Sequence, residues 1–521
     1  MNTEAGSGSL AAFPPRRKHL ILVAILVAAV YLGSVTDKWW PTSDSALYVG
    51  LGKSLAQGQG YQFNGQPCDL VTPGLPIILA GIRGALGEGF WAPNLFIALC
   101  GLGALALIYL VMCRLSHRRM ALAVVLCCGF SYSFYVGSHR ILTGMPFVLL
   151  FWATLYAYMR AIRGNLLWAP AAIVFTATAL AIRAPGAIIL GPMAVGMFFD
   201  RPATGQRRRL QLLSAALLLT VIATMGLFYL LGRGLSQNTP LYAARVGEVG
   251  TSSVLQRRAG QLGEMGFRIL ETTAEMFTSQ AGLRVLAPAL LAFMIIGLCI
   301  QWKRGLRMPA VTVVLYLLGM CLVGGPSMVR PRYALPVQPL VIYMALEGLL
   351  WVLEYVRRLR GKMSSPAAQL KAMTIFVAAV IVLNAPRLAR SAVIYTYHSH
   401  TPRYYQVIRH GKFDEMFRVA KHLDQSTPAD AVVAISEDGS KILHFLSGRR
   451  VVALPDSARA TAADAQRVVE FIRSVPEATF VAIDMKSDQP EYRLSLQETL
   501  AAWPEMKDSY VGNRWRVYRR G

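Results

Sequence analysis

The sequence predicts a polytopic α-helical membrane protein of about eleven transmembrane helices, closed by a C-terminal α/β domain on the outer side. Three observations predict it. Of the 521 residues, 54% are apolar and only 16% charged, and the mean hydropathy is +0.42, whereas a soluble domain carries about a quarter charged residues. Apolar runs of the length that crosses a hydrocarbon core, about 17 to 25 residues, recur along the chain. The basic residues gather at the ends of those runs, at Arg16 to Lys18, Arg114 to Arg119, Arg160 to Arg163, Arg201 to Arg209, Lys303 to Arg307 and Arg357 to Lys362, which is the pattern of cytoplasmic loops.

In order, the predicted spans are His19 to Val35, Pro93 to Cys113, Met120 to Val136, Pro146 to Ile162, Leu166 to Ile182 and Ala184 to Phe199. Leu210 to Leu231, Val285 to Trp302, Pro309 to Met328, Tyr333 to Tyr355 and Ala372 to Ala389 complete them. Starting inside, this count puts every basic cluster on the cytoplasmic face and the tail outside. The first span has a basic flank and no small-residue cleavage signature before Thr36, so it reads as a retained helix. The organisation is then a cytoplasmic N-terminus (1–18), a transmembrane region (19–390) with outer loops 37–91 and 232–283, and an outer α/β domain (391–521).

The outer pieces have their own patterns. Leu47, Leu51 and Leu55 make one stripe on a short helix over Asp44 to Gln57, which is expected to lie flat in the membrane interface. Gly58, Gly60 and Asn64-Gly65 break it, and Pro73 to Leu79 is a second apolar stretch, short for a span. Leu255, Leu262, Met265, Ile269 and Met276 predict a further helix resting on the membrane. In the tail, Val432 to Ile435 and Phe480 to Ile483 read as strands, and Phe413 to Leu423 and Ala463 to Arg473 as helices.

The excess of 53 basic over 28 acidic residues sits in loops, with no basic-aromatic groove, so no nucleic-acid partner is expected. The seven cysteines form neither a disulfide framework nor a CxxC metal site. Glu347 lies inside a span, where a charge needs a partner, and pairing is the expected role. The Trp39-Trp40 pair reads as an interfacial anchor. Asp44, just past the first span, can reach both a lipid-borne group and an acceptor arriving from water, as a general base would. It is equally a residue type that caps helices.

Asp44, Tyr48, Leu55, Gly58, Gly60 and Tyr61, followed by Thr72-Pro73-Gly74-Leu75-Pro76, stand in an order that resembles the D-x3-Y-x6-L-x2-G-x-G-Y string of the GT-C superfamily. The likeness is to its polyprenyl-phosphate-sugar glycosyltransferases, a group that includes protein O-mannosyltransferases and lipid A aminoarabinose transferases. Arg140 to Pro146, Arg183, Arg332-Tyr333 and the tail fall where that family has counterparts. The resemblance implies a GT-C-like fold and inverting transfer of a hexosyl or pentosyl group from a polyprenyl-phosphate donor to an envelope acceptor, with Asp44 as base. It implies a multi-pass protein of the bacterial inner membrane, with membrane lipids around it and its site on the periplasmic side. The departing phosphate needs cations, and arginine pairs two phosphate oxygens at once; Arg140, Arg183, Arg330 and Arg332 are the outer-side candidates, with Tyr333 and Tyr61 as further substrate-binding residues.

One departure concerns metal. Family members commonly carry an acid before the fourth span, in patterns like Ser-Glu-Met-Pro, where this chain reads Thr143-Gly144-Met145-Pro146. No metal ligand is assigned, and participation of a divalent cation stays open. Two other readings compete: a transporter, which needs polar groups at the bilayer midplane, and an envelope assembly or scaffold protein binding partners through its tail.

Overall fold

The computed structural model describes residues 17–521 apart from 69, 163–164, 166, 200–206, 236–259, 279–284, 322–329, 362–364, 402, 409–411, 455–469, 476, 485–497, 499, 501–502, 504–505, 513–514 and 521. The chain begins with α1 (Arg17–Leu32) and α2 (Ser43–Ala56). A hairpin of β1 (Gln62–Phe63) and β2 (Gln66–Pro67) comes next, followed by α3 (Gly74–Leu86), α4 (Trp91–Leu115), α5 (Arg118–Gly129), α6 (Tyr132–Gly137), α7 (Gly144–Ile162), α8 (Trp168–Ile182), α9 (Ala187–Phe199) and α10 (Arg207–Leu235). After these come α11 (Leu262–Phe277), α12 (Ala287–Lys303), α13 (Arg307–Gly319), α14 (Gln338–Leu359), α15 (Pro366–Thr396) and α16 (Lys412–Ser426). The tail adds β3 (Val432–Ser436), α17 (Glu437–Ser447), β4 (Arg450–Leu454), β5 (Ala478–Asp484), β6 (Met506–Val511) and β7 (Trp515–Arg520). Two compact units result, one of residues 1–35, 69–75 and 93–393, the other of 36–68, 76–92 and 394–521.

The first unit is helical, and the protein is a multi-pass membrane protein. Among the described residues, five helices are long and apolar enough to cross a membrane, Trp91–Leu115, Gly144–Ile162, Arg207–Phe228, Gln338–Leu359 and Pro366–His400. Six shorter apolar helices occur among the described residues, five in this unit, while the sixth, Gly74–Leu86, falls mostly in the second unit. The span predicted at Met120 to Val136 is not one helix. It breaks between α5 and α6, where Ser131 caps the second piece through Phe134 N–H at 3.3 Å. The 12 residues of α5 reach roughly 18 Å at 1.5 Å per residue, short of a ~30 Å core. A backbone N–H freed by such a break must find a partner within the protein: Tyr132 N–H donates to Asn384 Oδ1 on α15 (3.1 Å), and Asn384 Nδ2 donates to Phe277 O (2.8 Å).

Other expectations shift for similar reasons. The span predicted from Tyr333 starts at Gln338, because Pro336 and Pro339 limit the helix and leave Tyr333 in a single turn, Pro331–Ala334. The last predicted span continues as one helix to Thr396, with Pro386 inside. Of the stripe on α11, Leu255 lies outside the described residues; Met265 and Met276 are buried, because α11 packs on α12, α14 and the 331–334 turn. Gln338 Nε2 donates to Met276 O at 2.8 Å, so this helix is held by protein and does not merely rest on lipid. Glu347 has its expected partner: Arg304 Nη1 lies 2.9 Å from its Oε1, to which Tyr343 OH also donates (3.1 Å).

The second unit is built on a five-stranded sheet of order β4-β3-β5-β7-β6. β3 runs parallel to β4 and β5, and β7 runs antiparallel to β5 and β6. Val432, Ala434, Val481, Ile483 and Tyr518 close one core with Ile472, Leu500 and Trp503. The predicted strands at 432 and 480 are β3 and β5; β4, β6 and β7 were not expected, since charged residues, Arg450 in β4, Lys507 and Asp508 in β6 and three arginines in β7, interrupt the apolar pattern. Most of the helix predicted from Ala463 to Arg473 lies outside the described residues.

Candidate functional site

In the second unit, α2 presents Asp44. Thr42 is the N-cap: its Oγ1 accepts from Ser45 N–H (3.0 Å) and Ser45 Oγ accepts from Thr42 N–H (2.9 Å), a reciprocal capping box. Capping therefore falls to Thr42 and Ser45. Asp44, exposed in the first turn, puts a negative charge at the positive end of the helix. Leu47 and Leu51 are buried, and α2 packs against α17, so the stripe predicted to face lipid faces protein.

Trp39 corrects another expectation. It is not an interfacial anchor: it is 1% exposed, stacks on Phe90 at 6.0 Å, meets Phe445 edge-on at 4.8 Å and donates from Nε1 to Ser45 Oγ at 3.1 Å. It thereby fixes the start of α2 within the unit. Tyr48 stands one turn beyond Asp44, and Tyr61 begins the hairpin. Burial, with Cys68 and Tyr48 nearby, pushes the Tyr61 phenol well above its usual range, so this hydroxyl stays protonated and can donate.

The hairpin forms because Asn64 and Gly65 both adopt positive φ (57° and 73°), as a two-residue turn between antiparallel strands requires. Asn64 then pairs with the edge strand β4 as a strand residue would. Its Nδ2 donates to Val451 O (2.6 Å) and its Oδ1 accepts from Val451 N–H (2.8 Å). Asn64 N–H donates to His444 Nε2 at 3.1 Å, which assigns the proton to Nδ1, the donor to Arg449 O at 2.7 Å.

In the first unit the arginines take their places by helix breaks. Arg183 has extended backbone (φ −152°) between α8 and α9, where Pro185 ends helical continuity. Its guanidinium lies over the Tyr333 ring at 4.9 Å and over Phe147 at 6.0 Å. Arg332 comes from the 331–334 turn; its guanidinium carbon is 4.6 Å from the same ring and its Nη2 donates to Tyr333 OH at 2.6 Å. Tyr316 OH on α13 donates to Tyr333 O. Two guanidinium groups therefore flank one phenol, held by cation–π contacts and a charge-assisted hydrogen bond.

Arg330 is the exposed N-cap residue of that turn, and Arg140 is half-buried on the segment before α7. Phe147 and Tyr316 were missed from sequence, where nothing marks them. Gly144 opens α7, and a Cβ there would meet nothing within 4 Å. Among the described residues no three His, Cys, Asp or Glu side chains group as metal ligands.

Residues 71–228 match the family profile of dolichyl-phosphate-mannose-protein mannosyltransferases. A comparison with curated proteins finds no match. Among solved structures, ArnT from Cupriavidus metallidurans bound to undecaprenyl phosphate superposes with a TM-score of 0.57 at 13% identity, over 96% of this chain and 98% of that one. The Archaeoglobus fulgidus oligosaccharyltransferase tethered with an acceptor peptide gives 0.59 at 12% identity, over 97% and 74%. The same organism's AglB in complex with an inhibitory peptide and a dolichol-phosphate gives 0.57 at 13%, over 92% and 70%. The chain shares its fold with these lipid-phosphate-dependent transferases and oligosaccharyltransferases.

Proposed function

We propose that this chain is a membrane glycosyltransferase that moves a sugar from a polyprenyl-phosphate donor to an envelope acceptor, with inversion and with Asp44 as base. The observation that carries the reading is the pair of guanidinium groups, Arg183 and Arg332, gathered on Tyr333 within a fold shared with proteins solved with undecaprenyl phosphate and dolichol-phosphate. In this scheme the acceptor O–H proton goes to the Asp44 carboxylate and the acceptor oxygen bonds to the anomeric carbon. The bond from that carbon to the phosphate oxygen breaks, its electron pair leaving with the phosphate. Arg183 and Arg332, assisted by Arg140 and Arg330, neutralise that anion, each donor contributing up to about 3 to 4 kcal/mol by comparison with oxyanion sites. Tyr61 and Tyr333 contribute hydroxyl contacts to substrate. The proposed orientation has residues 1–18 in the cytoplasm and residues 391–521 as a domain on the outer, periplasmic side of the inner membrane, following the basic loops.

The test is transfer by purified protein from a panel of polyprenyl-phosphate sugars to envelope extracts. Asp44→Asn is expected to lower kcat about a hundredfold or more while leaving donor binding intact. Transfer at the wild-type rate by Asp44→Asn would remove the base, and a wild type that neither binds nor consumes any donor would remove the transferase assignment.

A further inference from the structure

The far side of α2 faces a second, separate feature. Lys53 and Gln57 follow Asp44 by nine and thirteen residues, which at 3.6 residues per turn sets them on the opposite side of the helix, beginning roughly 14 Å along its axis. There they help line a cleft of about 340 Å³ within the second unit, together with Gln59, Gln62 and the half-buried rings of Phe63 and Phe445.

The lining chemistry is selective. Each glutamine amide offers an acceptor oxygen and two N–H donors, so it matches a ligand hydroxyl, itself donor and acceptor at once; a carboxylate can only accept and an ammonium only donate. Three such amides line the cleft, no Asp or Glu does, and Lys53 is its one Lys or Arg. The rings beside them supply apolar surface for the C–H face of a ligand that carries hydroxyls on its other edges. The volume lies at the small end of the range for ligand pockets, suited to one compact unit.

The cleft is also built in advance. Gly50 lacks the Cβ that would collide with the Phe63 ring, which meets His444 edge-on at 4.7 Å. Ser54 Oγ donates to Gly60 O at 2.9 Å, closing the loop after α2, and Asn64 ties the hairpin to β4 and His444 as described. Walls fixed this way need little ordering when a ligand enters.

We infer that this cleft is a glycan-binding exosite that takes one neutral sugar unit, remote from Asp44, and holds the acceptor's glycan while transfer proceeds elsewhere. That the sugar belongs to the acceptor rests on the transferase reading; that the cleft takes a sugar rests on its lining alone.

Full-length protein in detergent or nanodiscs, titrated calorimetrically with gluco-, galacto- and manno-configured trisaccharides, tests it, with a triuronic acid and inorganic phosphate in parallel. Saturable binding of at least one neutral trisaccharide is expected. Its Kd should rise tenfold or more in Gln57→Ala/Gln62→Ala and stay unchanged in Asp44→Asn. Gln57 is exposed, so Gln57→Ala alone serves if the double variant melts early. Equal affinity in the glutamine variants and wild type, or binding by the triuronic acid or phosphate alone, overturns the exosite. Saturable, glutamine-dependent binding by a protein that transfers no sugar retains the cleft and removes the transferase reading; transfer without any glycan binding does the reverse.

Discussion

Arg332 and His444 show how much one side chain's neighbours decide. The Arg332 guanidinium both stacks on Tyr333 and donates to its hydroxyl, a combination that needs a planar, forked cation. Arg332→Lys is therefore expected to lower kcat/KM for a polyprenyl-phosphate donor by about tenfold to a hundredfold, despite the retained charge, measured beside Arg183→Lys. For His444, burial pulls the pKa below its usual 6.5, the Arg449 carbonyl opposes this and the Lys53 ammonium adds to it. Above about pH 6.5 the ring is neutral folded or unfolded, and its bonds to Asn64 and Arg449 are whole. As pH falls from there toward the lower folded pKa, the unfolded chain takes up the proton first, so stability is lost. Thermal melts of the second unit between pH 7.5 and 5 should decline with a slope that His444→Gln reduces. The slope does not vanish, because burial lowers the His422 pKa too.

At the scale of elements, backbone contact governs the helices. A Cβ at Gly297 on α12 would run into Met344 O on α14, and one at Gly348 on α14 into Phe293 O on α12. This is close approach through small residues, the packing that holds helices together where lipid offers no hydrophobic drive between them. Gly348→Ala forces the pair apart and should destabilise the detergent-solubilised protein by about 1 to 3 kcal/mol, read as a lower melting temperature. Sequence reading recognised most of these helices because apolar length is written locally. It placed the break at Arg183 where the structure has it, and placed ends less well at 130 and 335, where a serine cap or a proline settles the break. At α2 and α11 it recognised the apolar stripe and assigned it to lipid, whereas tertiary packing supplies protein instead.

For the whole molecule, the chain order is not the spatial order. The unit containing the sheet also takes in residues 36–68 and 76–92, and Trp39 is seated on Phe445 and Phe90. The tail expressed as residues 391–521 alone should expose Phe445 and the β4 edge, bind a hydrophobic dye such as ANS and melt without a sharp transition. A protein carrying all residues of that unit should melt cooperatively. A sharp melt without dye binding by the isolated tail would show that the first loop is dispensable to it.

The sequence by itself determined the membrane class, the run of helices and the identity of Asp44, Arg183, Arg332 and Tyr333 as residues to watch, because hydropathy, flanking charge and motif order are properties of short windows. Only the tertiary structure decided that Thr42 and not Asp44 caps α2, that Tyr333 gathers two of the four candidate arginines in one ring contact, and that three glutamines share a cleft with Phe445, from the far end of the chain. Those outcomes depend on which distant groups meet, and a side chain's role follows from the partners that satisfy its charge and hydrogen bonds.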